Sequence, residues 1–423
     1  MSATLRIGAC LFDLALVHAG ELVTCAGGSG TAEEGLGIVE DGALLVSGGR
    51  IVWTGTTRQL RQKSTGKVER TVDARGHLVT PGLVDPHTHA IFAGSREDEL
   101  ERKASGESYI SILAGGGGIL RTVRETRAST TTELVGASRA RLDQLMMNGV
   151  TTMEVKTGYG LDLAGESHIL AAIRRLKEES AVELIPTFLG LHAKPPGFRD
   201  VGGYVDFVTR KVLPAVARRR DRPVFSDSFC EEGVFTASEC SRYLRASKDL
   251  GFRLKIHADE FAESGGAALA AEVGCVSADH LGRSSATGIG AMAKKGVTAV
   301  LLPGTSLYSS IPYADARGIM AAGCRVALGT DLSPNSWVES PQFVMSLACT
   351  GMKMTPAQAL LGFTKHAAEA VARDDLGALA IGTQADFVVH RVPSYRFLPY
   401  RVGGSYVNAV FKRGKQIYGS GEN

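Results

Sequence analysis

The chain has 423 residues, of which 44% are hydrophobic and 22% are charged. This composition supplies enough apolar material for a large core and excludes a chain that is disordered along its length. The 47 basic and 44 acidic residues give a formal net charge of +3, without a long block of one sign, which argues against a protein that binds nucleic acid or an anionic membrane.

The seven cysteines are scattered along the chain and include no Cys-x-x-Cys pair. An odd, scattered set argues against both a disulfide framework and a structural zinc site, and it indicates a reducing compartment. The most apolar N-terminal stretch, residues 7–19, contains Asp13 and His18 and lacks a preceding basic run, so it does not fit a signal peptide. No window approaches the roughly 20 apolar residues of a membrane span. We therefore expect a soluble cytoplasmic protein.

Both ends of the chain have the pattern of short strands and turns. Residues 42–47 and 50–55 are strand-like and flank Gly48 and Gly49, and paired glycines supply the positive φ that a type I′ hairpin turn needs. The C-terminal residues from 385 onward have the same character. Because an isolated hairpin buries too little surface to be stable, we expect the two ends to meet. The pattern predicts a small β-sandwich domain composed of residues 1–80 and 374–423.

Residues 81–373 alternate between short apolar runs and segments with helical spacing. There are eight such runs, near 82–89, 150–155, 182–189, 224–229, 253–257, 275–278, 298–302 and 326–328. Repeated βα units favour a parallel sheet, and eight of them predict an α/β fold with a closed (β/α)8 TIM barrel. Such barrels place their chemistry at the carboxyl ends of the strands, so the residues that follow each run are the first candidates for function.

Four of the ten histidines stand at the end of one of these runs. His87 and His89 are two residues apart in VDPHTH, so on a strand they project from the same face. His257 ends the fifth run, and His280 and Asp331 end the sixth and eighth. An isolated His-x-His can arise by chance. However, ionisable residues at three further buried strand ends are costly unless they are paired or bind a metal, so the whole pattern favours a metal site.

Three imidazoles and one carboxylate suit a single divalent cation, zinc or iron, with one position open for water. We predict four ligands for this ion, namely His87, His89, His257 and Asp331. Such an ion lowers the pKa of water from about 15.7 to about 7 and so supplies a nucleophile at neutral pH. The remaining ionisable groups, Glu260 and His280, are then the candidate acid and base.

The order His-x-His, His-x-x-Glu, His and Asp at successive strand ends resembles the amidohydrolase superfamily over essentially the whole chain. Several stretches are similar, more specifically, to the imidazolonepropionase family. They are PGLVDPHTH (81–89), AGSREDE (93–99), GGGGI (115–119), KTGYGL (156–161), TFLGLHA (187–193), FCEEGVF (229–235), KIHADE (255–260) and LLPGT (301–305). The binuclear branch of the superfamily uses a carboxylated lysine from the fourth strand. The fourth run here has no lysine, so the resemblance implies one metal ion.

The resemblance implies hydrolysis of 4-imidazolone-5-propanoate to N-formimidoyl-L-glutamate, a step of histidine degradation. It also implies that Arg96 and Tyr109 hold the propanoate, while Tyr159 and His192 line the pocket. A planar arginine fork and a tyrosine hydroxyl both suit a carboxylate. Without the resemblance, Arg96 could equally pair with an acidic residue at 97–99, Tyr159 could mark a plain turn, and His192 could be a core histidine.

The segment after Asp331 departs from the family pattern. The family has an asparagine that helps to hold the formimidoyl end of the product, and this chain has Ser333 in its place. Serine is shorter and lacks the paired donor and acceptor of the amide. Asn335 and Ser336 are the candidates to compensate for it.

In the predicted reaction, water positioned by Asp331 and His280 attacks the ring carbonyl carbon, and the cation with His280 or His192 stabilises the oxyanion. Glu260 delivers a proton to the departing ring nitrogen, although the sequence leaves the acid and base roles of Glu260 and His280 interchangeable. Two alternatives stay open. One is a deaminase of cytosine- or guanine-like cyclic amidines, which released ammonia would identify, and the other is a non-catalytic interaction protein. Symmetry statistics and the family favour a homodimer.

Overall fold

The computed structural model of the chain describes residues 11–63, 66–107, 111–112 and 115–419. Its strands form two eight-stranded sheets. The strands before the barrel are β1 (Phe12–Val23), β2 (Ile38–Ser47), β3 (Arg50–Thr56), β4 (Val68–Asp73) and β5 (Leu78–Pro81). The barrel strands are β6 (Leu83–Asp85), β7 (Val150–Lys156), β8 (Glu183–Leu191), β9 (Phe225–Cys230), β10 (Arg253–Ala258), β11 (Ser277–His280), β12 (Thr298–Leu301) and β13 (Val326–Leu328). The strands after the barrel are β14 (Phe387–His390), β15 (Val407–Lys412) and β16 (Lys415–Gly419).

Helices connect these strands and surround the barrel. The first nine are α1 (Ala32–Leu36), α2 (Thr57–Gln62), α3 (Glu99–Ala104), α4 (Gly118–Ala128), α5 (Thr131–Met147), α6 (Leu163–Glu179), α7 (Val201–Phe207), α8 (Leu213–Ala217) and α9 (Ala237–Asp249). A π-helical turn, Val208–Val212, joins α7 to α8. The others are α10 (Gly266–Val273), α11 (Ala286–Lys295), α12 (Pro303–Tyr308), α13 (Ala316–Ala321), α14 (Pro341–Thr350), α15 (Pro356–Gly362), α16 (Lys365–Ala370) and α17 (Phe397–Tyr400). None of the helices in the described ranges has the length and hydropathy of a membrane-spanning segment.

The strands β6 to β13 are parallel and lie side by side in chain order. The regular strand β6 is shorter than the predicted run because Pro86 has no N–H to donate to a neighbour. Contacts beyond the strand ends close the barrel: Thr88 forms a parallel bridge with Leu332, and the Asp85 carboxylate accepts the Thr330 hydroxyl at 2.6 Å. The predicted (β/α)8 barrel is confirmed, and its closure brings the segments after β6 and β13 together.

The terminal strands form a mixed sheet in the order β16-β15-β14-β5-β1-β2-β3, with β4 paired to β1. Gly48 and Gly49 have φ values of 59° and 72°, as the predicted hairpin turn requires. The turn between β15 and β16 packs closely against β2, since a Cβ on Gly414 would lie 2.9 Å from Val46 Cγ1. One apolar cluster joins strands from both ends of the chain and includes Leu44, Ile51, Phe387 and Phe411.

A buried ion-pair group joins the terminal sheet to the barrel. Lys412 of β15 lies 2.7 Å from Asp386 and 2.9 Å from Glu183, the first residue of β8. Arg373, which follows α16, also pairs with Glu183. Burial alone would raise the pKa of Glu183, but Lys412 and Arg373 lower it to about 2. Glu183 therefore stays ionised. It lies at the amino-terminal end of the barrel, opposite the carboxyl ends of the strands.

This pKa gives a pH-dependent contribution to stability. Because the pKa of Glu183 is lower in the folded chain than its ordinary value of 4.5, the stabilisation is present above about pH 4.5 and is lost as the pH falls towards 2. We expect Glu183→Gln to lower the Tm by about 2–4 °C at pH 7, and the difference from wild type to shrink through that window. The measurement is Tm against pH, with the exposed Glu178→Gln as the control. A difference that persists unchanged at pH 3 would contradict the assignment.

Candidate active site

The five residues at the strand ends converge on one group at the barrel mouth. His87 and His89 follow β6, His257 lies in β10, His280 ends β11 and Asp331 follows β13. The ring centroid of His257 lies 4.6 Å from that of His87 and 5.3 Å from those of His89 and His280. Asp331 Oδ1 lies 3.5 Å from His87 Nε2 and 3.6 Å from His89 Nε2. Both residues of the His-x-His pair therefore face the same carboxylate.

The inner nitrogens of this group are only partly satisfied by hydrogen bonds. His87 Nε2 has no hydrogen-bond partner among the described residues, and His89 Nε2 faces His257 Nε2 at 3.2 Å. Burial lowers the pKa of His87 and of His89 well below the usual range, which favours the neutral imidazoles that bind metals. The ligand atoms of His87, His89 and Asp331 lie within 4.8 Å of one another, as do those of His87, His257 and His280. These residues fit a divalent cation, because such an ion would satisfy the buried lone pairs.

Two buried aspartates hold the outer nitrogens of these histidines. Asp279 Oδ2 lies 2.6 Å from His87 Nδ1, and Asp227 Oδ2 lies 3.1 Å from His257 Nδ1. A carboxylate at Nδ1 fixes that nitrogen as the donor, so Nε2 presents its lone pair to the centre. Sequence reasoning did not identify either aspartate. The available signal was a charged side chain inside an otherwise buried strand.

Two lysines and a glutamate complete a charged layer beneath the histidines. Lys156 Nζ lies 2.8 Å from Asp227 and 2.9 Å from Glu154, and Lys255 Nζ lies 3.3 Å from Glu154. Burial alone would lower the pKa of Lys156, but the carboxylates of Asp227, Glu154 and Asp279 raise it. The ammonium of Lys156 is thus held in ion pairs and is not free to become a carboxylated bridging ligand.

A pocket at the mouth of the barrel borders this group. Eight predicted site residues line it together with His89 and His257, namely Arg96, Tyr159, His192, Glu260, His280, Asp331, Ser333 and Asn335. Four lining residues were not predicted, namely Ile119, Phe229, Phe261 and Thr305. His87 is fully buried at the base of the site, and Tyr109 lies outside the described residues.

Two cations converge at the Arg96 end of the pocket. The Arg96 guanidinium is buried and donates from Nε and Nη2 to Glu99 at 2.9 and 2.8 Å. Its Nη2 also lies 3.3 Å from Asn335 Oδ1, which accepts a second bond from Lys103 Nζ at 2.9 Å. Arg96 therefore forms the ion pair with an acidic neighbour and also lines the pocket. Glu99 balances the charge of Arg96, whereas Lys103 has no carboxylate within 4 Å among the described residues, so this end of the pocket has one positive charge in excess and is suited to an anion.

His192 and Tyr159 form the aromatic side of the pocket. The His192 ring stacks 5.1 Å from His89 and lies 5.2 Å from Tyr159. His192 Nδ1 donates to the Gly158 carbonyl at 3.0 Å, and burial lowers the pKa of His192 to about 3. A neutral imidazole that donates from Nδ1 has an acceptor at Nε2, so His192 cannot donate to an oxyanion from that nitrogen.

Glu260 and His280 lie next to each other at the opposite side of the pocket. Their Oε2 and Nε2 atoms are 3.6 Å apart. Burial raises the pKa of Glu260 well above its usual range, and the carboxylates of Asp331 and Glu231 add to the rise. His280 and Asp331 have positive φ values of 75° and 49°, a strained backbone conformation that often accompanies functional side chains. A carboxyl with a raised pKa therefore lies beside an imidazole at the edge of the candidate metal site.

The model of the amidohydrolase family matches residues 78–417 of the chain. The imidazolonepropionase of Symbiobacterium thermophilum is 45% identical over 417 residues, covering 97% of this chain and 98% of that protein. The imidazolonepropionase of Parabacteroides distasonis is 43% identical over 404 residues, covering 94% and 97% of the two chains. The chain belongs to the imidazolonepropionase family of amidohydrolases.

Solved structures outside the imidazolonepropionase family share this fold. A triazine hydrolase variant aligns with a TM-score of 0.76 at 18% identity, covering 96% of this chain and 94% of that one. A zinc-bound adenosine deaminase from Xanthomonas campestris aligns with a TM-score of 0.74 at 18% identity, covering 97% and 93%. At these identities the likeness shows the common architecture of a barrel with a sheet from the termini.

The loop that departs from the imidazolonepropionase pattern forms a tight turn in the structure. Ser333 Oγ accepts the Ser336 N–H at 3.2 Å, and the Ser336 carbonyl accepts the Ser333 N–H at 3.1 Å. Ser333 and Asn335 line the pocket, whereas Ser336 is fully buried behind them. The expectation that Ser336 contacts substrate is therefore not supported, because its side chain does not reach the pocket surface. Asn335 is the candidate that remains.

Proposed function

We propose that this chain hydrolyses 4-imidazolone-5-propanoate to N-formimidoyl-L-glutamate. The observation that carries the proposal is one pocket that joins a cationic end to a histidine–aspartate group flanked by Glu260 and His280. At the cationic end Arg96 and Asn335 line the pocket, and Asn335 also accepts a bond from the neighbouring Lys103. The cationic end suits the propanoate, and the opposite side suits the reacting amide of the ring. The names of the family's curated members support this substrate.

We assign one divalent ion, zinc or iron, to four ligands, namely His87, His89, His257 and Asp331. When bound there, the ion polarises a carbonyl group and lowers the pKa of water. Asp279 and Asp227 orient the two histidines that they contact, His87 and His257. The buried carboxylates of the charged layer offset the positive charge of the ion.

The remaining pocket residues orient the substrate. Arg96 binds the propanoate carboxylate, and the Tyr109 hydroxyl is its second donor. The neutral His192 accepts an N–H of the imidazolone ring at Nε2, beside the Tyr159 ring. Ser333 contacts the part of the ring that becomes the formimidoyl group, and Asn335 contacts the substrate near the propanoate, beside Arg96.

The proton steps belong to three side chains. The Asp331 carboxylate accepts a proton as water adds to the ring carbonyl carbon, and His280 donates to the developing oxyanion. The carboxyl of Glu260 then gives its proton to the departing ring nitrogen as the carbon–nitrogen bond breaks. The raised pKa of Glu260 supports the acid role for this residue over the base role, because it keeps the carboxyl protonated before the reaction.

The proposal predicts ring opening without release of ammonia. The assay follows loss of imidazolone propanoate and formation of formimidoylglutamate by mass spectrometry, with metal content measured on the same sample. Parallel reactions contain cytosine and guanine, and ammonia is measured in all of them. Turnover of the imidazolone alone is the expected result. Ammonia from an amidine ring would instead identify a deaminase, and a stoichiometrically metal-loaded enzyme that turns over none of these compounds would contradict the proposal.

A further inference from the structure

Glu231 is a buried carboxylate at the end of β9 that the proposed reaction does not use. Its side chain does not line the pocket, and only 3% of the residue is exposed. It accepts three successive backbone N–H groups of the loop after β10: Glu260 at 2.7 Å, Phe261 at 3.0 Å and Ala262 at 2.9 Å. The Ser264 hydroxyl donates a fourth bond at 3.2 Å. One carboxylate thus binds the whole turn on which Glu260 stands.

These bonds fix the backbone from which the Glu260 side chain reaches its place 3.6 Å from His280. Hydrogen bonds to an ionised carboxylate are about twice as strong as neutral ones, and the buried charge needs them all. A displacement of about 1 Å in a reacting group can cost on the order of 100-fold in rate. The loop after β10 has no regular structure of its own between Asp259 and Gly265. Glu231 binds its first half, which carries Glu260, while the Asp259 carboxylate accepts the N–H groups of Ser264 and Gly266 at the far end, at 3.0 and 2.8 Å.

A second carboxylate has the same arrangement at another loop of the pocket. Glu166 of α6 is buried and accepts the N–H groups of Gly158 at 3.1 Å, Gly160 at 2.9 Å and Leu161 at 2.8 Å. This loop carries Tyr159, which lines the aromatic side of the pocket rather than the acid–base side. Glu166 therefore provides a matched control, because it binds a loop in the same way without touching the Glu260 turn.

We propose that Glu231 is the positioning residue for Glu260: its carboxylate holds the turn that aims the acid at the departing ring nitrogen. The inference rests on the proposed function, because it needs Glu260 to act as the acid. Glu231 does not line the pocket, and it acts on Glu260 through the backbone that it binds, in addition to the effect of its charge on the pKa of that carboxyl.

The test is a double-mutant cycle between Glu231→Gln and Glu260→Gln on the full chain. Glutamine keeps the shape of Glu231 but sets an NH₂ group against backbone donors. In the wild-type background we expect Glu231→Gln to lower kcat by about 10–100-fold and to change KM by less than about threefold. In the Glu260→Gln background we expect it to lower kcat by less than about twofold, because no acid remains to be positioned.

The matched control is Glu166→Gln, whose effects on kcat are expected to multiply with those of Glu260→Gln. The same factor for Glu231→Gln in both backgrounds, or an unchanged kcat in the wild-type background, would overturn the proposal. If Glu231→Gln does not fold, Ser264→Ala replaces it, and its expected fall in kcat must likewise vanish in the Glu260→Gln background. A Glu260→Gln enzyme with wild-type kcat would instead refute the acid role itself, which is a separate and recognisable outcome.

Discussion

Replacing Glu260 with glutamine is expected to lower kcat by about 10²–10⁴-fold while leaving substrate affinity and bound metal unchanged. The amide keeps the size of the side chain but has no proton to give to the departing ring nitrogen. Burial and the nearby carboxylates raise the pKa of Glu260, which favours the protonated form that an acid needs. The measurement is steady-state kinetics on imidazolone propanoate, with the metal content of each variant determined in parallel.

The control for this variant is Glu263→Gln, an exposed residue in the same loop. Its side chain does not line the pocket, and we expect kcat within about twofold of wild type, as for surface substitutions elsewhere. A Glu260→Gln enzyme that retains more than a tenth of the wild-type kcat would show that another group protonates the leaving nitrogen.

Replacing His257 with alanine is expected to remove the bound ion and to lower kcat/KM by at least about 10³-fold, because the water then keeps its high pKa. His257 Nε2 faces His89 Nε2, and its Nδ1 is held by Asp227. We expect the milder variant Asp227→Asn to weaken metal affinity by about 10–100-fold, because it loosens the orientation of the ring. Metal per chain, activity and Tm are measured before and after treatment with a chelator.

His77→Ala, in the terminal sheet region, is the control for the loss of a histidine that lies away from the pocket. It should keep full metal content and full activity. A His257→Ala enzyme that binds one ion per chain with wild-type affinity would contradict the assignment of this ligand. Addition of zinc or ferrous iron to chelated wild-type enzyme should restore both activity and Tm.

The sequence was informative about the site because parallel barrels place their chemistry at strand ends. His257 and His280 could be found in this way, since each ends a short apolar run. The His-x-His pair was found although regular β6 ends at Asp85, because the following segment stays extended and pairs with Leu332 after β13. The β hairpin at Gly48 could also be predicted, since the paired glycines supply the positive φ values that its turn requires.

The residues that support the site could not be predicted from the sequence, because their roles depend on strands that are distant along the chain. Asp227 and Asp279 lie on β9 and β11, and only the barrel brings them to Lys156 of β7, the strand that also carries Glu154. The bonds from Glu231 go to backbone N–H groups, which carry no signature in the sequence. Nearly every residue type has a backbone N–H group, so the pattern of residue types does not show which of these groups bind a carboxylate.

Local hydrogen bonding also decided between candidates that the sequence left equal. Ser336 was a candidate substrate contact by position, but its N–H binds Ser333 and the turn buries its side chain. His192 was a candidate oxyanion donor by residue type, but its Nδ1–H group donates to the Gly158 carbonyl. These outcomes depend on which atoms form hydrogen bonds in the folded chain, and the spacing of residues along the sequence does not determine that.

The proposed reaction requires water to attack the ring carbonyl carbon in the pocket between Arg96 and His280. One isotope measurement tests this step. Turnover of imidazolone propanoate in H₂¹⁸O, followed by fragmentation of the product in a mass spectrometer, locates the oxygen that comes from water. Attack at the carbonyl carbon predicts one ¹⁸O atom in the newly formed carboxylate of formimidoylglutamate, with no ammonia released. Label on the carbon between the two ring nitrogens, or ammonia in equal amount to product, would contradict it.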